Sequence, residues 1–123
     1  MRSRIFRLVS ALTLVLGGLL LAPATPALAD AGDPAHCSEF PHPDLYNGGG
    51  IGFLNGTIIH SGAYTNCKNR GEGFPSQGIN VHCLVVNDNG FIWLYVVDTT
   101  TGIQGWARLD ALNVMRTVSV DVC

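Results

Sequence analysis

Between Ile79 and Ala107 the chain alternates short apolar stretches with glycine-terminated turns. Ile79–Val86 is followed by Asn87-Asp88-Asn89-Gly90, Phe91–Asp98 by Thr99-Thr100-Thr101-Gly102, and Ile103–Ala107 closes the series. The apolar stretches are rich in β-branched and aromatic residues, and Asn, Asp and Gly tolerate the positive φ of hairpin turns. The pattern predicts a three-stranded meander. Ile79, Val81, Cys83 and Val85 alternate with Asn80, His82 and Leu84, as in a strand with one buried face. In the second strand Trp93, Tyr95 and Val97 alternate with Ile92, Leu94 and Val96, so both faces are apolar. Such a strand is central, and a three-stranded sheet alone cannot cover it on both sides.

Upstream, Ile51–His60 carries Phe53, Leu54, Ile58 and Ile59 around Asn55-Gly56, enough for one or two more short strands. Ser61–Gln77 is polar and glycine-rich and reads as a long irregular connection, a kind usually functional, disordered or stapled. Downstream, Asp110–Val114 allows a single helical turn leading into a last strand, and Val118, Val120 and Val122 alternate out to Cys123. No long helical periodicity follows residue 30, so the expected class is all-β.

The first 29 residues stand apart. Three arginines within Met1–Arg7, an apolar run from Leu8 to Ala22 and the small-x-small site Ala27-Leu28-Ala29 form the three regions of a secretory signal peptide. The run is short for a membrane span, so the mature chain is expected to start at Asp30, exported and free of the membrane. Residues 30–50 form an extended arm rich in Pro and Gly, with Pro34, Pro41, Pro43 and Gly48-Gly49-Gly50. Residues 51–123 form the domain, with a C-terminal strand or tail.

Export changes the charge. All nine acidic residues lie after Ala29, against Lys68, Arg70, Arg108 and Arg116, leaving −5. A domain of that sign lacks the basic footprint of a nucleic-acid binder and is not drawn to anionic membranes. The four cysteines, Cys37, Cys67, Cys83 and Cys123, read as two disulfides in an exported chain of this size. Three connectivities are open. The expected pairing is Cys67–Cys83, closing a loop of about 17 residues worth about 3 kcal/mol, with Cys37–Cys123 tying the arm to the end of the chain.

Several pieces together resemble the bacterial SH3-like (SH3b) domains. Thr57-Ile58-Ile59-His60-Ser61-Gly62-Ala63-Tyr64-Thr65 is similar to their opening segment, and Trp93–Asp98 to their Trp-Tyr-x-Val strand. Thr101–Ala107 resembles their closing Gly-x-x-Gly-Trp-Val, and Asp110-Ala111-Leu112 stands where they often carry Asp-Tyr-Leu. Cys67 and Cys83, with Gly73-Phe74-Pro75 between them, resemble a secreted, disulfide-bearing branch from Gram-positive bacteria. The resemblance implies a small, partly open barrel of five or six strands. It also implies a non-catalytic module that targets cell-wall peptidoglycan or a peptide.

The residues themselves offer little chemistry. His82 and Cys83 are adjacent on a strand and point to opposite faces, and no metal-ligand spacing occurs, so no metal or other cofactor is expected. A cysteine nucleophile would leave an odd thiol, and no paired-carboxylate motif marks a glycosidase; the chain is not expected to be an enzyme. Candidate ligand contacts are aromatic. Tyr64 lies in the polar loop, where no alternation demands burial, and packing over the barrel mouth is its structural alternative. Trp93 and Trp106 fall at strand positions suited to a core, and Asp98 suits either a cationic peptide group or a turn cap. The expected function is an exported, monomeric wall-binding module, contacting its ligand between the Ser61–Asn66 loop and the strand of Trp93. The alternative is a freely secreted interaction or structural protein that binds another protein's extended peptide.

Overall fold

The computed structural model describes residues 32–123. The signal-peptide reading of residues 1–29 and the first two residues of the arm lie outside the described residues. The described residues are all-β, with seven strands in two antiparallel sheets. These are β1 (Ile51–Phe53), β2 (Thr57–His60), β3 (Asn69–Gly73), β4 (Ile79–Val86), β5 (Ile92–Asp98), β6 (Gln104–Arg108) and β7 (Leu112–Val114). Five strands form one sheet in the order β3-β2-β6-β5-β4, and β1 pairs with β7 in a second. The ladders do not close on themselves, so the expected barrel is not formed as a continuous hydrogen-bonded sheet.

The meander β4-β5-β6 follows the predicted alternation. Asn87 explains the sharpness of its first turn. Its side-chain oxygen accepts from the backbone N–H groups of Asn89 (3.0 Å) and Phe91 (3.1 Å), and its amide donates to the Ala63 carbonyl at 2.8 Å. Gly90 completes the turn at φ +80°, a conformation that side chains disfavour. Asn87 is buried, so truncation orphans three backbone groups. Asn87→Ala is expected to cost about 2–3 kcal/mol, read from urea unfolding; a cost under about 1 kcal/mol would remove the turn from this role.

β5 is covered on both faces, as its composition requires. Leu94 and Val96 pack with Phe53, Ile59, Val81, Ala107 and Leu112, beneath the β1–β7 pair. Trp93 and Tyr95 pack on the opposite face with Ala63, Val85 and Trp106. In β4, Val81 joins the first cluster but Val85 the second, although both occupy the same parity. The β4–β5 register shifts between Val81 and Leu84. A bulge there transfers the alternation from one face to the other.

Three expectations need correction. The Ser61–Gln77 connection contains β3, an edge strand of sequence Asn-Arg-Gly-Glu-Gly. It pairs with β2 through backbone alone and carries no apolar signal. The last strand is β7, and Val118–Val122 contributes only an isolated parallel bridge, Leu84 with Val122. The disulfides are Cys37–Cys67 and Cys83–Cys123, not the expected pairing. The tail runs beside the free edge of β4, with Leu84 N–H donating to the Asp121 carbonyl and Cys123 N–H to that of Leu84. That places Cys123 against Cys83. The arm folds back onto the Ser61–Cys67 loop and places Cys37 against Cys67. Two disulfides fit folding in an oxidising compartment.

Candidate functional site

Pro34–Leu45 lies across the second face of the five-stranded sheet. Pro-His-Pro keeps the backbone extended, and a 3-10 turn at Ala35–Ser38 brings Cys37 to Cys67. Gly62 lets the arm approach, since a Cβ there would collide with the Cys37 backbone. The His42 ring stacks on Tyr95, 3.6 Å between centroids and 2° from parallel, while Phe40 meets Trp106 edge-on. Leu45 N–H donates to the His82 carbonyl, the His82 ring bonds the His42 carbonyl through Nδ1, and Asn80 donates to Asp44. The arm is therefore a strap, held covalently at one end and by hydrogen bonds at the other.

The strap does not cover the whole face. Between it and the sheet lies an open cleft of about 340 Å³, lined by Asp33, Phe40, Ser61, Arg70, Tyr95 and Trp106 among others. Asp33 and Arg70 both face this cleft, and neither forms an ion pair among the described residues. Arg70 donates one Nη1–H to the Gln104 carbonyl at 3.0 Å, which leaves most of its guanidinium donors free. Asp33 accepts the Lys68 backbone N–H through Oδ1. The Ser61 hydroxyl and that amide hold the Asp33 carboxyl below the usual carboxylate range. That hydroxyl oxygen is shut off from solvent and makes no hydrogen bond of good geometry. Burial pushes the Tyr95 phenol up, opposed by the nearby Arg70 cation.

A second cleft, of about 360 Å³, lies on the other side of the Ser61–Asn66 loop and includes His60, Thr65, Trp93, Arg108 and Asp110. This is where the sequence places the ligand groove. Its charges already satisfy each other, because Arg108 grips Asp110 through both Nε and Nη2. That ion pair lowers the Asp110 carboxyl. The first cleft offers unpaired charges and the second does not.

The four predicted ligand contacts are buried. Tyr64 packs with Cys37, Cys67 and Phe40 beneath the strap, and its hydroxyl has no hydrogen-bond partner. Trp93 is 1% exposed and Trp106 3%. Trp93 reaches the edge of the second cleft and Trp106 the wall of the first. Asp98 is fully buried and caps its turn, accepting from the backbone N–H groups of Thr100 and Thr101. Asp33 and Arg70 carry no mark in the sequence, because single polar residues in irregular or edge segments carry no periodic signal, whereas Ser61 opens the Ser61–Asn66 loop expected to border the ligand groove. His36, Cys37 and Cys67 bring three donor atoms within 4.8 Å of one another, but both sulfurs are joined in the disulfide. No helix among the described residues is long and apolar enough to cross a membrane. Searches of protein-family models, curated proteins and solved structures find no match to this chain.

Proposed function

We propose that this chain is an exported, non-catalytic binding module of the SH3-like type, which associates with cell-wall peptidoglycan through its peptides. One observation carries the reading: the cleft under the strap presents unpaired Asp33 and Arg70 against an aromatic wall. Clefts that fix ligands combine apolar walls with a few placed polar groups, and this one lies at the lower end of the usual ~300–1,000 Å³. The SH3-like assignment draws support from the pairing of β1 with β7 and from the 3-10 turn Leu109–Ala111 between β6 and β7. Export is supported by the N-terminal sequence pattern and by the two disulfides.

The strap favours a short ligand over an extended one. An extended peptide of another protein needs a long open groove, and here the aromatic sheet face beside the cleft is occupied by Phe40 and His42. The remaining cleft suits a short, polar unit. With a mature charge of −5 the chain gains nothing from long-range steering toward an anionic wall, so recognition is local.

Co-sedimentation of the oxidised chain with purified insoluble peptidoglycan tests this. Wild type is expected in the pellet. Arg70→Glu, at an exposed position, is expected to weaken retention by about fivefold, the effect of losing roughly 1 kcal/mol. A folded wild type that stays in the supernatant would refute wall binding.

A further inference from the structure

The cleft is more selective than its size suggests, because two charges of opposite sign both line it and no ion pair joins them. A lone anion set against Arg70 would also meet the Asp33 carboxylate, and a lone cation set against Asp33 would meet the guanidinium. Neither simple ion fits both. A neutral sugar is poorly served as well. Sugars use exposed aromatic faces, and here the Tyr95 ring is already covered by His42 at 3.6 Å while Phe40 lies against Trp106. What remains is the free donors of Arg70, the Asp33 carboxylate and a limited apolar wall.

Resting on the binding-module reading above, we propose that the cleft takes a dipolar amino-acid or peptide end group. Its free carboxylate is held by Arg70 and its free ammonium by Asp33. Each charge of the ligand then meets its complement. Charge-assisted hydrogen bonds of this kind discriminate by orientation as well as by strength. The wall formed by Phe40 and Trp106 admits a small apolar side chain and sets no further requirement.

The test uses the intact oxidised chain, labelled for amide NMR, with the dipeptide alanyl-alanine as probe. Its N-acetylated form lacks the ammonium and its C-terminal amide lacks the carboxylate. The free dipeptide is expected to shift the signals of Ser61, Arg70 and the Trp106 indole, and to bind about three- to fivefold more tightly than either blocked form. Asp33→Asn is expected to remove the preference over the N-acetyl form only, and Arg70→Gln the preference over the amide only. Asparagine keeps an oxygen for the Lys68 amide, and unchanged spectral dispersion shows that both variants fold. Equal binding of the three probes, shifts located elsewhere, or no shift would each overturn the dipolar assignment. Wall retention by a chain that does not distinguish the probes would sink this inference and leave the module reading standing. Probe discrimination without wall retention would do the reverse.

Discussion

The chain lacking its Cys37–Cys67 bridge, made as C37S/C67S, is expected to lose about 3.5 kcal/mol of stability and its retention on peptidoglycan together. The bridge closes a sequence separation of 30 residues. On the chain-entropy account, cross-linking a loop of that length contributes ~3.5–4 kcal/mol by restricting the unfolded chain. For a domain of this size the loss corresponds to roughly 15–25 °C in Tm. The functional loss follows from position. Pro34, Ala35, Cys37 and Phe40 line one side of the cleft, and without the bond that side is held only by stacking and by exposed hydrogen bonds such as Lys68 N–H to Asp33 and His36 with Asn66. Differential scanning calorimetry and co-sedimentation read the two effects. A variant that melts within a few degrees of wild type and still binds the wall would show that the strap is incidental.

Trp93→Ala is expected to cost about 3–5 kcal/mol, the range for removing a large aromatic side chain from a core. Trp93 is 1% exposed, packs with Ala63, Val85, Tyr95 and Trp106, and meets the His60 ring edge-on at 5.3 Å. Its Nε1 has no hydrogen-bond partner. Trp93→Phe removes that unsatisfied donor along with part of the packing, so it is expected to cost less than half as much. Wall retention by the folded phenylalanine variant is expected to match wild type, because Trp93 borders only the second cleft. Guanidinium unfolding with parallel sedimentation separates the roles. A Trp93→Phe chain of near-native stability that no longer binds would return Trp93 to the ligand site.

The meander was legible because its turns and strands carry independent signals that agree. Asn87-Asp88-Asn89-Gly90 supplies both the capping side chain and the positive-φ glycine, and Trp93–Val97 announces a strand buried on both faces. β3 was not legible, because Asn-Arg-Gly-Glu-Gly pairs only through its backbone. The Val81-to-Val85 change of face was hidden as well, since a bulge leaves the alternation of residue types intact while moving it across the sheet. The disulfide pairing depends on where two irregular segments, the arm and the tail, come to rest. Local spacing favoured Cys67–Cys83, whereas the arm returns to the loop and the tail lies along β4.

The site shows the same division. Aromatic residues drew attention in the sequence, and the fold spends them on packing. Tyr64, Trp93 and Trp106 hold the arm, the loop and the sheet together, and Asp98 closes a turn. The charged groups left over come from two separate segments: Asp33 from the arm and Arg70 from an edge strand. Only the folded-back strap makes neighbours of residues this far apart in the chain.

Whether the proposed cleft reads the peptide of the wall rather than its glycan is tested most directly by sedimenting the oxidised wild-type chain with two preparations: intact insoluble peptidoglycan, and the same material stripped of its peptides by an amidase. Retention is expected on the intact material and its loss on the stripped glycan. Equal retention on both, or none on the intact wall, would contradict peptide recognition.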